Sequence, residues 1–197
     1  MLVGNHTSLG NLHGLLRFDL SSLGTNIVIN SVTLQMNKPA GGTGSSFTVN
    51  VFELSVANAN WVEGTANNVA QSGSATWNSK GSSAWAGSAG ASTAGTDYIN
   101  TVLASYAGSL LTAGDAAFTS QAAFLTSVSN NLGGSLNLGI GMNSGVSGSY
   151  YRFATDENTS FDAPALVIDY TVIPEPATLG LLGAGSLLVV LLRRMRG

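Results

Sequence analysis

The sequence predicts an all-β fold: an antiparallel β-sandwich with long loops and one short helix, followed by an apolar C-terminal segment. Three observations carry this expectation. Apolar and polar residues alternate with a period of two in segments spread from near the start to Val172, as half-buried strands require. Glycine-rich connections such as residues 40–44 and 144–148 separate them. Apolar residues make up 44% of the chain, enough to fill a core, while charged residues make up only 9%.

Taken in order, Leu16, Phe18 and Leu20 alternate with Arg17 and Asp19. Val32, Leu34 and Met36 alternate with Thr33, Gln35 and Asn37, and Phe47, Val49 and Val51 with Thr48 and Asn50. Residues 56–95 are rich in Ala, Asn, Gly and Ser, hold all three tryptophans, and read as long loops with short strands. The spacing predicts a helix over 117–131, capped by Thr119 or Ser120, burying Phe124, Leu125 and Val128, and ended by Gly133. Leu136, Leu138, Ile140 and Met142, then Tyr151 and Phe153, then Leu166, Ile168, Tyr170 and Val172 complete the alternating sets.

The charges divide unevenly. Residues 1–173 hold four basic and nine acidic groups, a net of −5, and the remainder carries a net of +2. A body so poor in Lys and Arg lacks the footprint of a nucleic-acid binder. There is no cysteine, which neither favours nor opposes an oxidising compartment.

The end of the chain is built in three parts. Pro174, Glu175 and Pro176 precede an apolar run, and Arg193, Arg194 and Arg196 close it. The run predicts a transmembrane helix whose arginines stay cytoplasmic, placing the body outside the cytoplasmic membrane. From Ala177 to Leu192 is 16 residues, roughly 24 Å as a helix, shorter than the ~20 residues a stable span needs. This tail resembles the PEP-CTERM sorting signal of Gram-negative bacteria. The resemblance implies an exosortase that cuts near the motif, transient inner-membrane anchoring, and release to the envelope or extracellular matrix. The alternative is an ordinary anchor behind a Pro-rich linker. The expected division is therefore a body over residues 1–172 and a sorting signal over 173–197.

The body has its own resemblance. Residues 14–23, Gly-Leu-Leu-Arg-Phe-Asp-Leu-Ser-Ser-Leu, are followed by Ser31–Leu34, Trp61–Gly64, Thr76–Asn78, Tyr151–Ala154 and Pro164–Tyr170. This order resembles DNRLRE-type domains, related to a carbohydrate-binding-module family. The resemblance implies a jelly-roll sandwich and affinity for polysaccharide, with Trp61 and Trp77 as buried packing residues. Such domains open with a further strand before the segment matching Leu2-Val3-Gly4, and exported proteins carry an N-terminal signal. Both are expected upstream of Met1.

Catalytic constellations are sparse. His6 and His13 have no cysteine beside them for zinc, and no Gly-x-Ser-x-Gly elbow occurs. His13 reads as an exposed strand-edge residue. The carboxylates show no spacing that singles out a glycosidase pair, and Glu63 beside Trp61 reads as an acceptor for loop amides. No catalytic residue and no cofactor are expected. Asp156, Glu157 and Asp162 offer oxygen-rich loop chemistry for a structural calcium, weighed against a plain solvated loop. Trp85, Tyr150 and Arg152 are the expected exposed, carbohydrate-contacting set, and Arg17 is expected in a cross-strand ion pair. The function read from these features is a non-catalytic exported surface or matrix protein with polysaccharide as partner. A purely structural or adhesive envelope protein is the alternative, and a polysaccharide-acting enzyme ranks last.

Overall fold

Period-two alternation, β-branched residues and glycine turns fold the described residues into eleven antiparallel strands and one α-helix. The computed structural model describes residues 1–65, 69–142 and 145–174, together with Arg194. The strands are β1 (Leu2–His6), β2 (Gly10–Leu12), β3 (Gly14–Asp19), β4 (Ile27–Lys38), β5 (Val49–Glu53), β6 (Ala104–Tyr106), β7 (Gly114–Ala117), β8 (Thr119–Ser120), β9 (Ser135–Ile140), β10 (Tyr150–Arg152) and β11 (Ala165–Val172). Helix α1 spans Ala122–Asn130.

Three sheets result, ordered β10-β1-β2, β11-β4-β7 and β3-β9-β5-β6-β8. The last two form the sandwich. Val32, Leu34 and Met36 of β4 meet Val49, Val51, Leu136, Leu138 and Ile140 of β5 and β9 in one buried cluster. Phe124 and Val128 of α1 close it from the side, while Tyr151 and Phe153 enter from β10 and the residue after it. A fully buried leucine such as Leu138 contributes about 2–3 kcal/mol.

The helix is shorter than its pattern. Thr119 and Ser120 do not cap it, because they pair with β6 as β8. Ser120 Oγ donates to the Val32 carbonyl instead, at 2.5 Å. Gln121 holds the N-cap position in extended conformation, without a side-chain cap bond. Phe124 and Val128 are buried and Leu125 is half-buried.

The register of β11 on β4 departs from expectation at one end. Leu166 pairs with Leu34 and Ile168 with Val32; the ladder then skips Asn30, so that Tyr170 meets Ile29 and Val172 meets Ile27. The bulge lies in β4 and returns Ile29 and Ile27 to the core side. Their partners Tyr170 and Val172 are 42% and 63% exposed.

The described residues of 54–99 contain two short 3-10 turns and isolated bridges, and no strand is named among them. They enclose a second cluster of Phe52, Leu54, Trp61, Trp85, Ala91, Tyr98 and Met142. Among the described residues no helix is long and apolar enough to cross a membrane. The helix expected over 177–192 lies outside the described residues, as do Glu175, Pro176, Arg193 and Arg196. Pro174 and Arg194 are described and exposed.

Candidate functional site

A loop without strands needs another way to satisfy its backbone, and Asp97 supplies it. Asp97 is fully buried. Its Oδ1 accepts from the Gly87 N–H and Asn58 Nδ2, both at 2.8 Å. Its Oδ2 accepts from the Ser88 and Thr93 N–H groups, both at 2.9 Å. Burial works to raise the Asp97 pKa, but the bonds from Thr93, Ser88, Gly87 and Asn58 outweigh it and hold the carboxyl below its ordinary value. Gly87 must be glycine here, since a Cβ would stand 2.6 Å from Asp97 Oδ2.

Two tryptophans are fixed by bonds of their own. Trp85 is buried, with Nε1 donating to the Thr76 carbonyl at 3.0 Å. Trp61 is buried, with Nε1 donating to Asn137 Oδ1 at 3.1 Å. Arg17 lies over the Trp61 ring, its Cζ 4.6 Å from the centroid. Arg17 Nε donates to Asn137 Oδ1 at 2.9 Å, and Nη2 to the carbonyls of Ala59 at 3.1 Å and Trp61 at 2.5 Å. Arg17 is thus committed to carbonyls and an aromatic face rather than to the expected cross-strand carboxylate. Asp19 accepts from the Ser21 N–H at 2.8 Å.

Trp77 is the tryptophan left outside, at 42% exposure. Thr76 Oγ1 accepts from the Asn78 and Ser79 N–H groups at 3.3 and 3.2 Å, a turn that carries Trp77 at its tip. The Gly90 N–H donates to the Trp77 carbonyl at 2.5 Å. Gly90 has φ +74°, and a Cβ there would fall 2.5 Å from the indole, so only glycine fits beneath it. His13 stands at the ring, with centroids 5.1 Å apart. Its Nδ1 is 2.6 Å from the Gly90 carbonyl and must carry the proton, which leaves Nε2 as an acceptor in the neutral ring. Burial lowers the His13 pKa, although the bond to Gly90 acts in the opposite direction. His13, Trp77, Trp85, Asn11 and Thr76 line a cleft of about 300 Å³.

The expected set of Trp85, Tyr150 and Arg152 is therefore not assembled. Trp85 is the floor of the Trp77 cleft. Tyr150, half-buried, and Arg152, exposed, line a separate cleft of about 460 Å³ with Leu2 and Pro39. Tyr150 stacks near His6, with centroids 5.1 Å apart. The exchange of roles between Trp77 and Trp85 follows from their neighbours: Trp85 finds Thr76 and the aromatic cluster, and Trp77 sits on a turn. His13, read as a strand-edge residue, is half-buried against that turn.

The acidic residues also regroup. Asp156 and Glu157 approach Glu63, their ligand oxygens within 4.8 Å, whereas Asp162 lines another cleft beside Asn37 and Asp115. Three exposed carboxylates supply only part of the six to eight oxygens that calcium takes. Burial, then repulsion from Asp156 and Glu157, raises the Glu63 pKa, and Arg17 opposes it. Glu63 and Asp156 line a cleft of about 130 Å³, and Glu63 and Glu157 line a neighbouring one of about 450 Å³ with Thr155 and Asn158.

The chain's C-terminal residues 172–196 match the PEP-CTERM protein-sorting motif. This protein carries an exosortase sorting signal. It is accordingly an exported protein of the cell envelope, processed by exosortase. No curated protein matches the chain.

Proposed function

We propose that this PEP-CTERM protein is a non-catalytic component of the Gram-negative envelope or extracellular matrix that binds polysaccharide there. The observation that carries the reading is Trp77, an exposed indole braced by Gly90 and His13 over a cleft floored by Trp85. Flat aromatic rings of this kind stack on the apolar C–H faces of sugars. The body's resemblance to DNRLRE-type jelly-roll domains supports the same reading. Tyr150 and Arg152 offer a second contact surface in their own cleft. Two carboxylates are held in structural roles: Asp97 accepts from backbone amides and Asn58, and Glu53 accepts from Ser127 at 2.6 Å and Asn131 at 2.9 Å. Before processing, the apolar run over 177–192 anchors the chain transiently in the inner membrane.

The test is co-sedimentation of the protein with polysaccharide isolated from its host's matrix. Binding that falls at least tenfold in Trp77→Ala supports the reading; no binding to any matrix fraction sinks it. A purely structural or adhesive role is the second reading, favoured by the uncovered apolar corner of β11 at Tyr170 and Val172. It predicts self-association without glycan affinity.

A further inference from the structure

We infer that the Trp77–His13 cleft takes an uncharged sugar unit of a neutral polysaccharide, stacked on the indole, with one hydroxyl donating to His13 Nε2. This rests on the polysaccharide-binding reading and narrows it to a chemical class. Three observations lead there.

The first is the absence of charge. Asn11, Leu12, Leu15, Ala75, Thr76 and Gly90 surround His13 and the two indoles, and none is ionisable. An acidic glycan needs a cation, and the body has only four: Arg17, Lys38, Lys80 and Arg152. Arg17 is held on Trp61 and Asn137. Lys38 is buried on the Thr112 carbonyl, and Lys80 binds the Ala57 carbonyl. Arg152 lines the other cleft. With a net charge of −5 over residues 1–173, the body repels a polyanion more than it attracts one.

The second is the hydrogen-bonding inventory. His13 Nδ1 is committed to the Gly90 carbonyl, and Nε2 has no protein partner among the described residues. Asn11 Oδ1 accepts from Asn5 Nδ2 at 2.7 Å, which leaves the Asn11 amide hydrogens as donors on the same cleft. An acceptor and a donor side by side suit sugar hydroxyls, which do both.

The third is preorganisation. The indole is fixed by the Thr76 turn and the Gly90 backbone, so little side-chain freedom is lost when a ligand stacks on it.

The inference also gives a pH profile. The groups facing His13 are the Gly90 carbonyl, the Trp77 ring and the uncharged cleft residues above, so its titration depends on burial. Burial lowers its pKa, so the ring is neutral at pH 7 and remains an acceptor below the ordinary histidine range of about 6.5. Binding should hold through the ordinary histidine range and fall only on acidification below it, when Nε2 becomes a donor.

The experiment titrates the full-length protein, in detergent, with uncharged polymers (dextran, β-glucan, mannan, xylan) and with polyuronates (alginate, polygalacturonate), each at low and moderate salt. The expected result is salt-insensitive binding to at least one uncharged polymer. That binding should drop at least tenfold in Trp77→Ala and about tenfold in His13→Phe, the equivalent of one hydrogen bond, with recovery in His13→Gln. Melting curves of the three variants monitor folding, and Trp77→Phe, which retains a ring, should bind with intermediate affinity. Salt-sensitive binding to polyuronates alone overturns the inference and leaves polysaccharide binding standing. Neutral-polymer binding that is unchanged in Trp77→Phe and His13→Phe places the site elsewhere and overturns it too. No binding to either class overturns the inference, and the host matrix fractions then decide whether polysaccharide binding falls with it.

Discussion

The sandwich core and the loop cluster bury side chains equally well and are held together by different means. In the sandwich, Val32, Leu34, Val49, Val51, Leu136, Leu138 and Ile140 pack against one another, and the strand ladders satisfy the backbone. In the loop cluster, Trp61, Trp85 and Tyr98 are just as buried, yet the surrounding backbone has no continuous ladder. One carboxylate, Asp97, and one amide, Asn58, gather residues 86–93 around them. Apolar packing is spread over many contacts and tolerates small changes. A hub concentrates the same task in a few atoms, so its loss is local and its strength depends on pH.

The largest effect should come from the sandwich. Leu138→Ala leaves a cavity under β9 and should cost about 3 kcal/mol, read by urea denaturation. Tryptophan fluorescence and far-UV circular dichroism should shift together, because Phe52 and Leu54 link the loop cluster to β5. A fluorescence transition preceding the other would separate the two regions. Asp97→Ala should cost on the order of 2–3 kcal/mol. Here amide exchange should accelerate at Gly87, Ser88 and Thr93 while residues 136–140 stay protected; uniform loss of protection would contradict the hub.

The same carboxylate sets a pH dependence. Its folded pKa lies below its unfolded one, so its contribution is complete above the ordinary carboxylate range near about 4 and is lost as pH falls through the folded value. Asp97→Asn should flatten the acid limb of a stability–pH curve, and an unchanged limb would remove Asp97 from this role. Gly90→Ala should cost about 1 kcal/mol for its positive φ. It should also push Trp77 aside, shifting its emission and weakening glycan binding more than it lowers the melting temperature. The smallest effect is expected at the exposed trio. Glu63→Gln should be stabilising by no more than about 0.5 kcal/mol. Its sign with pH is the reverse of Asp97: a raised folded pKa makes stability fall as pH rises through it. A series of thermal melts from about pH 2 to 7, which spans the ordinary carboxyl values, separates the two signs.

Much of the sandwich was legible because strand alternation is a local signal. Val32, Leu34 and Met36, and Leu136, Leu138 and Ile140, are buried as their spacing implies. The corner at Tyr170 and Val172 was not legible, since alternation reports which face a residue takes and not whether anything covers that face. The helix boundary failed for a related reason: Thr119 and Ser120 are good caps in isolation, but a long-range pairing with β6 takes them first. The candidate site was the least legible part. Trp77 and Trp85 stand eight residues apart in similar small-residue surroundings. The clue available in the sequence was the Thr76-Trp77-Asn78-Ser79 turn chemistry, which places a side chain outward.

The sequence by itself determined where the protein goes and that it is built of strands, because a sorting motif and an alternating pattern are written in adjacent residues. Only the tertiary structure decided which tryptophan faces solvent, which cations are bound to carbonyls and which carboxylates meet. Those outcomes depend on contacts between residues far apart in the chain, such as Arg17 with Trp61, His13 with Gly90 and Glu63 with Asp156. In loops poor in apolar residues, burial follows from which hydrogen-bond partners the fold brings together.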